Sequence, residues 1–179
     1  MKNLTALTAL VLAVATPAFA DLKPGATAPD FTAPAYLAGK PFTFHLADAL
    51  KKGPVVVYFF PAAHTAGCNL EAHLFSQAIP QFKAEKASVI GVTAGNTDQL
   101  AAFSTETEHC AGKFPVAADP DAKIAREYDS TLAMKPDWAS RTSYVIASNG
   151  KIVEVYDNLN PNDHVAKTLA ALKTLNGGK

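Results

Sequence analysis

Val55-Val56-Val57-Tyr58-Phe59-Phe60-Pro61-Ala62-Ala63-His64-Thr65-Ala66-Gly67-Cys68-Asn69-Leu70-Glu71 decides how the rest of the chain is read. Its first six residues are an unbroken β-branched and aromatic run, bounded by Gly53-Pro54 and Pro61. Such a run suits a strand buried on both faces. After Pro61 the period changes. Leu70, Leu74, Phe75, Ala78, Ile79 and Phe82 recur at roughly helical spacing, so a helix starts just past Thr65. With Thr65 as N-cap, Cys68 falls at the third helical position. There the free backbone N–H groups and the helix dipole favour a thiolate, the nucleophilic form, over a thiol. The strand edge where the chain turns into a helix is also where α/β sheets place their sites. Pro80 sits inside the helical pattern and predicts a kink or a break.

Working outward, Phe42 to Leu46 alternates and reads as a short strand, and Pro24 to Pro34 as an extended entry segment. Ala87 to Val92 is a second buried strand. Thr97 or Asp98 then starts a helix running towards Cys110. Phe114 to Ala117 is a brief strand and Pro120 to Tyr128 a short helix. Ser143 to Ala147 and Lys151 to Tyr156 flank Ser148-Asn149-Gly150, a hairpin signal. Asn162 or Asp163 caps a last amphipathic helix through Val165, Leu169, Leu172 and Leu175. This order predicts an α/β domain of thioredoxin-like type, a mixed central sheet with helices on both faces.

Residues 1–20 stand apart. Lys2, the apolar stretch Leu4 to Ala15 and Pro17-Ala18-Phe19-Ala20 read as a secretory signal cleaved before Asp21. Residues 21–179 are then one domain with a substantial core, exported or periplasmic. Removing Lys2 takes the charge balance from 16 against 16 to 15 against 16, formally −1. That is not the basic footprint of a nucleic-acid binder, and no membrane association is expected after cleavage. Only Arg126 and Arg141 are arginines, so each has to be accounted for.

Two cysteines in an exported chain also fit a structural Cys68–Cys110 bridge. The residues around Cys68 tip the balance. Pro61, Thr65, Cys68 and Glu71 form the P-x-x-x-T-x-x-C-x-x-E loop of peroxiredoxins. Phe114-Pro115-Val116 with Asp119-Pro120-Asp121, and Arg141-Thr142-Ser143 with Asn149-Gly150-Lys151-Ile152, resemble further segments of that family. Nearly all of residues 21–179 resembles it, closest to the bacterioferritin-comigratory-protein (PrxQ) branch.

The resemblance implies a thiol peroxidase acting on hydrogen peroxide and organic hydroperoxides. Cys68 is its attacking thiolate, and Thr65 places a hydroxyl near sulfur and substrate. Arg141 stabilises the thiolate and orients the peroxide. Pro61 shields the site, and Glu71 holds Arg141. Many members of the branch carry a second cysteine five residues after the first; here that position is His73. Other members of the branch place the resolving cysteine in the region of Cys110, so the resemblance implies that Cys110 closes an intramolecular disulfide after the first helical turn unwinds. A thioredoxin-like or glutaredoxin-like periplasmic protein reduces it. The chain is expected to be a monomer or weak homodimer.

Two other readings compete. A disulfide oxidoreductase would carry a second cysteine at position 71, where Glu71 stands. A non-catalytic domain would use the disulfide as a staple. No cofactor is expected, and no metal: His64, Cys68 and His73 lie near one another in sequence, and His109 beside Cys110, but C-x-x-C, C-x-x-x-C and H-x-x-x-H are all missing. His64 is read as a modulator of the thiolate or a surface residue. Trp138 is read as lining the pocket or packing.

Overall fold

The structure, a computed structural model, describes residues 22–178. The leader read at residues 1–20 lies outside them. The chain runs β1 (Thr32–Leu37), β2 (Lys40–His45), α1 (Leu46–Leu50), β3 (Val55–Phe59), α2 (Ala66–Ala84), β4 (Ser88–Thr93) and α3 (Leu100–Thr105). It continues through β5 (Val116–Ala118), α4 (Lys123–Glu127), β6 (Thr131–Leu132), β7 (Lys135–Ala139), β8 (Thr142–Ile146), β9 (Ile152–Asp157) and α5 (His164–Gly177). Seven strands form one sheet in the order β2-β1-β5-β4-β3-β8-β9. β3, β4 and β5 pair in parallel, and the flanking pairs are antiparallel.

β3 is central and fully buried, and its side chains alternate between two cores. Val55, Val57 and Phe59 join Leu46 and Leu50 of α1 and Ile124 of α4 on one face. Val56, Tyr58 and Phe60 join Phe75 and Phe82 of α2, Leu100 and Phe103 of α3, and Leu169 and Leu172 of α5 on the other. Helices therefore cover both faces of a mixed sheet, as the sequence order predicts. Cys68 and Cys110 both belong to the second core.

Two local expectations are corrected and a third is refined. α2 does not break at Pro80; it continues to Ala84. Proline cannot donate to the carbonyl of Ser76, and the Lys113 ammonium takes that acceptor at 3.3 Å. The helix expected to reach Cys110 stops at Thr105. Ser104 and Thr105 turn their hydroxyls back onto the carbonyls of Ala101 and Ala102, each at 2.8 Å, in competition with the helical ladder. Cys110 thus lies in a turn, where the backbone N–H groups of His109 and Ala111 both donate to Glu106 O. Asp163 stands at the N-cap of α5, one of the two positions expected, but its side chain makes no cap bond. A 3₁₀ turn, Pro161–Asp163, precedes the helix, and the Asn160 side chain accepts from Asn162 N at 3.1 Å.

Candidate active site

The site forms where β3 ends and α2 begins. Thr65 occupies the N-cap with extended backbone and Cys68 is the third helical residue, as the spacing predicts. The Thr65 hydroxyl, however, makes no cap bond; it donates to Ala62 O at 3.0 Å. The loop between strand and helix is pinned from the side. Thr93 Oγ1 donates to Pro61 O at 3.1 Å, and Asn96 Nδ2 to Ala63 O at 2.8 Å. Gly95 lets the backbones meet, since a Cβ there would lie 2.4 Å from Pro61 O. His64 takes a left-handed conformation, φ 59°, and its ring meets Phe103 of α3 edge-on.

Cys68 is a free thiol only 2% exposed. Arg141, just before β8, is 4% exposed and spreads its planar fork over three partners. Nε donates to Leu159 O at 2.9 Å, Nη1 to the Glu71 carboxylate, and Nη2 to Cys68 Sγ at 3.5 Å. Gly67 makes room for it, because a Cβ there would lie 3.0 Å from Nη2. Glu71 is fully buried and is not a residue of a solvated helix face. Arg141 is likewise no surface ion pair. Burial pushes the Glu71 carboxyl up to about 8, against the downward pull of Arg141. Burial works against the charge on Arg141, but Glu71 and Cys68 together outweigh it and raise its proton affinity.

Behind Glu71 stands a group the sequence reading did not find. His164, the first residue of α5, is fully buried with Nδ1 3.6 Å from Glu71 Oε1. Its Nε2 lies 2.8 Å from Asn158 O, which fixes the proton on Nε2. Nδ1 is then the acceptor for the Ser143 hydroxyl at 2.8 Å. Burial holds the imidazole below its ordinary proton affinity. Nothing local marks His164 or Ser143 in sequence, because the contact joins residues from β8, α5 and α2.

Cys110 is a second free thiol, fully buried and not at bonding distance from Cys68. Burial, with Glu106 nearby, pushes it far above the ordinary thiol range, so it is protonated here. His73 lies on α2, with Nε2 2.9 Å from Gln77 Nε2. Trp138 is half-buried on β7 beneath the Lys135 ammonium, 3.2 Å from the ring centroid. The nitrogens of His64 and His109 do not converge on either sulfur. They converge on Glu106: His64 Nε2 at 2.9 Å and His109 Nδ1 at 2.7 Å from Oε2.

The geometry is that of an electron-rich sulfur held under a permanent cation at the mouth of a helix. Such a sulfur attacks electrophilic oxygen, and the guanidinium stabilises the charge that leaves.

Comparison with known proteins agrees. The profile of the AhpC/TSA family matches residues 24–155. The chain is 30% identical over 158 residues to the chloroplastic peroxiredoxin Q of Sedum lineare, covering 88% of this chain and 81% of that protein. It is 29% identical over 160 residues to the putative peroxiredoxin MT1643 of Mycobacterium tuberculosis, covering 88% of this chain and all of the other. Among solved structures, the peroxidoxin BcpB of Mycobacterium tuberculosis superposes with a TM-score of 0.75 at 27% identity, over 86% of this chain and 98% of that one. The AhpC of Enterococcus faecalis gives the same TM-score at 22% identity and attests the fold. With the family profile spanning residues 24–155 and the thioredoxin-like fold matched over 86% of the chain, this chain belongs to the AhpC/TSA peroxiredoxins, is similar to their peroxiredoxin Q members, and is a thiol-dependent peroxidase.

Proposed function

We propose that the chain is an exported, atypical two-cysteine peroxidase in which Cys68 attacks the peroxide and Cys110 resolves the product. The Cys68 thiolate takes the distal oxygen of hydrogen peroxide or an organic hydroperoxide. The O–O bond breaks, the sulfur becomes a sulfenic acid, and the leaving oxygen departs as water or alcohol once protonated. The Cys110 thiol then condenses with the sulfenic acid, forming the S–S bond and releasing water. Arg141 steadies thiolate and leaving oxygen, Glu71 holds Arg141, and Thr65 offers a hydroxyl at the substrate. Pro61 shapes the wall. A thioredoxin-like or glutaredoxin-like protein returns both thiols. The leader at residues 1–20 supports a periplasmic setting, with the reductant found there.

The observation that carries this reading is the Arg141 fork, which joins Cys68 Sγ to a buried carboxylate instead of to solvent. Cys110 supports the second half by sharing one apolar core with Cys68. Stopped-flow mixing with hydrogen peroxide tests it, with loss of free thiols as the readout. The wild-type chain should lose both thiols per equivalent of peroxide. Cys110→Ser should consume about one equivalent per chain, stop turning over with a thioredoxin-like donor, and pass to sulfinic acid at lower peroxide doses. Continued turnover by Cys110→Ser would remove Cys110 from the role.

A further inference from the structure

His64 is distant in sequence from Glu106 and His109, which lie three residues apart, and the mechanism above uses none of them. His64 comes from the loop that leads into α2, four residues before Cys68. Glu106 and His109 come from the turn that holds Cys110. One ligand atom from each lies within 4.8 Å of the other two. The Phe103 ring organises the cluster, stacking on His109 at 4.7 Å between centroids and meeting His64 edge-on at 5.4 Å. Gln99 Oε1 holds the far nitrogen of His64 at 2.6 Å, which fixes that ring and leaves Nε2 facing Glu106.

His109 carries the argument. Its side chain is 10% exposed, and Nδ1 is buried without a hydrogen-bond partner. The 2.7 Å approach to Glu106 Oε2 is close enough for attraction but lacks the direction of a hydrogen bond. A buried imidazole nitrogen with no bond of its own is costly unless something satisfies it. Two imidazole nitrogens and one carboxylate oxygen are the donor set of an open zinc site, with a fourth position left for water. Zinc bonds of about 2.0–2.1 Å place neighbouring donors roughly 3.3–3.5 Å apart. The two contacts to Glu106 need to open by less than an ångström.

We propose that His64, Glu106 and His109 form a site for a borderline divalent cation such as Zn²⁺, and that the bound ion clamps the Cys68 loop to the Cys110 turn. The second half rests on the reading that Cys110 resolves the sulfenic acid. Closing the disulfide requires the first turn of α2 and the Cys110 turn to move relative to one another. An ion bonded to both segments opposes that motion while leaving Cys68 open to peroxide. Oxidation of Cys68 to the sulfenic acid then proceeds, and condensation with Cys110 slows. A second peroxide meets the trapped sulfenic acid, gives it an oxygen and leaves as water, yielding the sulfinic acid. The site makes this enzyme's turnover sensitive to metal and spares its first oxidation.

The test has two arms. In the first, Zn²⁺ is titrated calorimetrically into a Cys68→Ser/Cys110→Ser chain, which removes both thiols as ligands, and Co²⁺ replaces it for its tetrahedral absorption bands. One ion should bind per chain, and Glu106→Gln in that background, which keeps shape but weakens ligation, should lower affinity at least tenfold. No binding, or binding that Glu106→Gln leaves unchanged, overturns the proposal. In the second arm, wild-type protein is mixed with peroxide with and without one equivalent of Zn²⁺. Disulfide formation should slow at least tenfold with Zn²⁺ and recover in Glu106→Gln. Equal slowing in Glu106→Gln places the metal on Cys68 itself and overturns the clamp. If Cys110→Ser turns over normally, the resolving role fails instead, and the first arm still decides the metal site.

Discussion

Arg141 sits at the crossing of every electrostatic line in the site. Its value lies in shape as much as charge, because one planar group reaches Leu159 O, Glu71 and Cys68 Sγ together. Arg141→Lys keeps the cation and loses the fork. The oxidation rate constant should fall roughly ten- to a hundredfold, about 1.4–2.7 kcal/mol of transition-state stabilisation. An unchanged rate in stopped-flow would reduce Arg141 to a structural ion pair. Thr65 separates two roles in the same way. Its hydroxyl bonds to Ala62 O and not to the helix N-terminus, so Thr65→Val should cost about 0.5–1.5 kcal/mol in denaturant unfolding. A rate that falls further than this stability loss accounts for assigns the hydroxyl to the substrate. A rate that does not fall leaves it a loop fastener. At this scale the sequence was legible where chemistry is local: Pro61, Thr65, Cys68 and Glu71 share one strand-to-helix junction. His164, Ser143 and the tie of His64 to Glu106 escaped it because those partners, far apart in sequence, meet only in the folded chain. His64 and His109 lie near cysteines in sequence, but their nitrogens meet the Glu106 carboxylate instead.

Among the elements, α2 and α5 carry the consequences. α5 enters the core through His164, whose imidazole burial keeps neutral. The unfolded chain takes up a proton on this residue near pH 6.5 while the folded chain resists it. The stability contributed by the depressed proton affinity is therefore present above about pH 6.5 and lost as pH falls through the folded value. Thermal unfolding between pH 7.5 and 5.5 should show wild type losing Tm relative to His164→Gln as the pH falls; parallel profiles would contradict the assignment. In α2, Pro80 leaves Ser76 O without its helical donor but does not end the helix. Lys113, which no periodicity connects to residue 76, supplies the donor. Lys113→Met should destabilise the wild-type chain by up to about 1 kcal/mol. The loss should disappear in a Pro80→Ala background, where the helix bonds Ser76 O itself. An equal loss in both backgrounds would show that Lys113 acts through something else. α3 was predicted too long for a related reason: side-chain hydroxyls of Ser104 and Thr105 end it, and apolar spacing is blind to them.

Across the whole molecule, the β3 run and its alternation between two cores made the sheet readable, since a strand buried on both faces must have helices on both. β1, β6 and β7 were not separable from loop, being short or lacking an apolar alternation. The reduced fold is complete without a disulfide, with both thiols buried in one core. A structural bridge between them would close a loop of about 43 residues and add roughly 4 kcal/mol on the chain-entropy model. A catalytic one instead costs the first turn of α2, so the oxidised form should melt no higher than the reduced form. The most direct test of Cys68 as attacking thiol and Cys110 as resolving thiol is intact and peptide mass spectrometry after one equivalent of hydrogen peroxide. Wild type should lose the mass of two hydrogens and yield a Cys68–Cys110 cross-linked peptide, Cys110→Ser should gain oxygen on Cys68 alone, and Cys68→Ser should not react. Oxygen appearing first on Cys110, or peroxide consumption by Cys68→Ser at the wild-type rate, would contradict it.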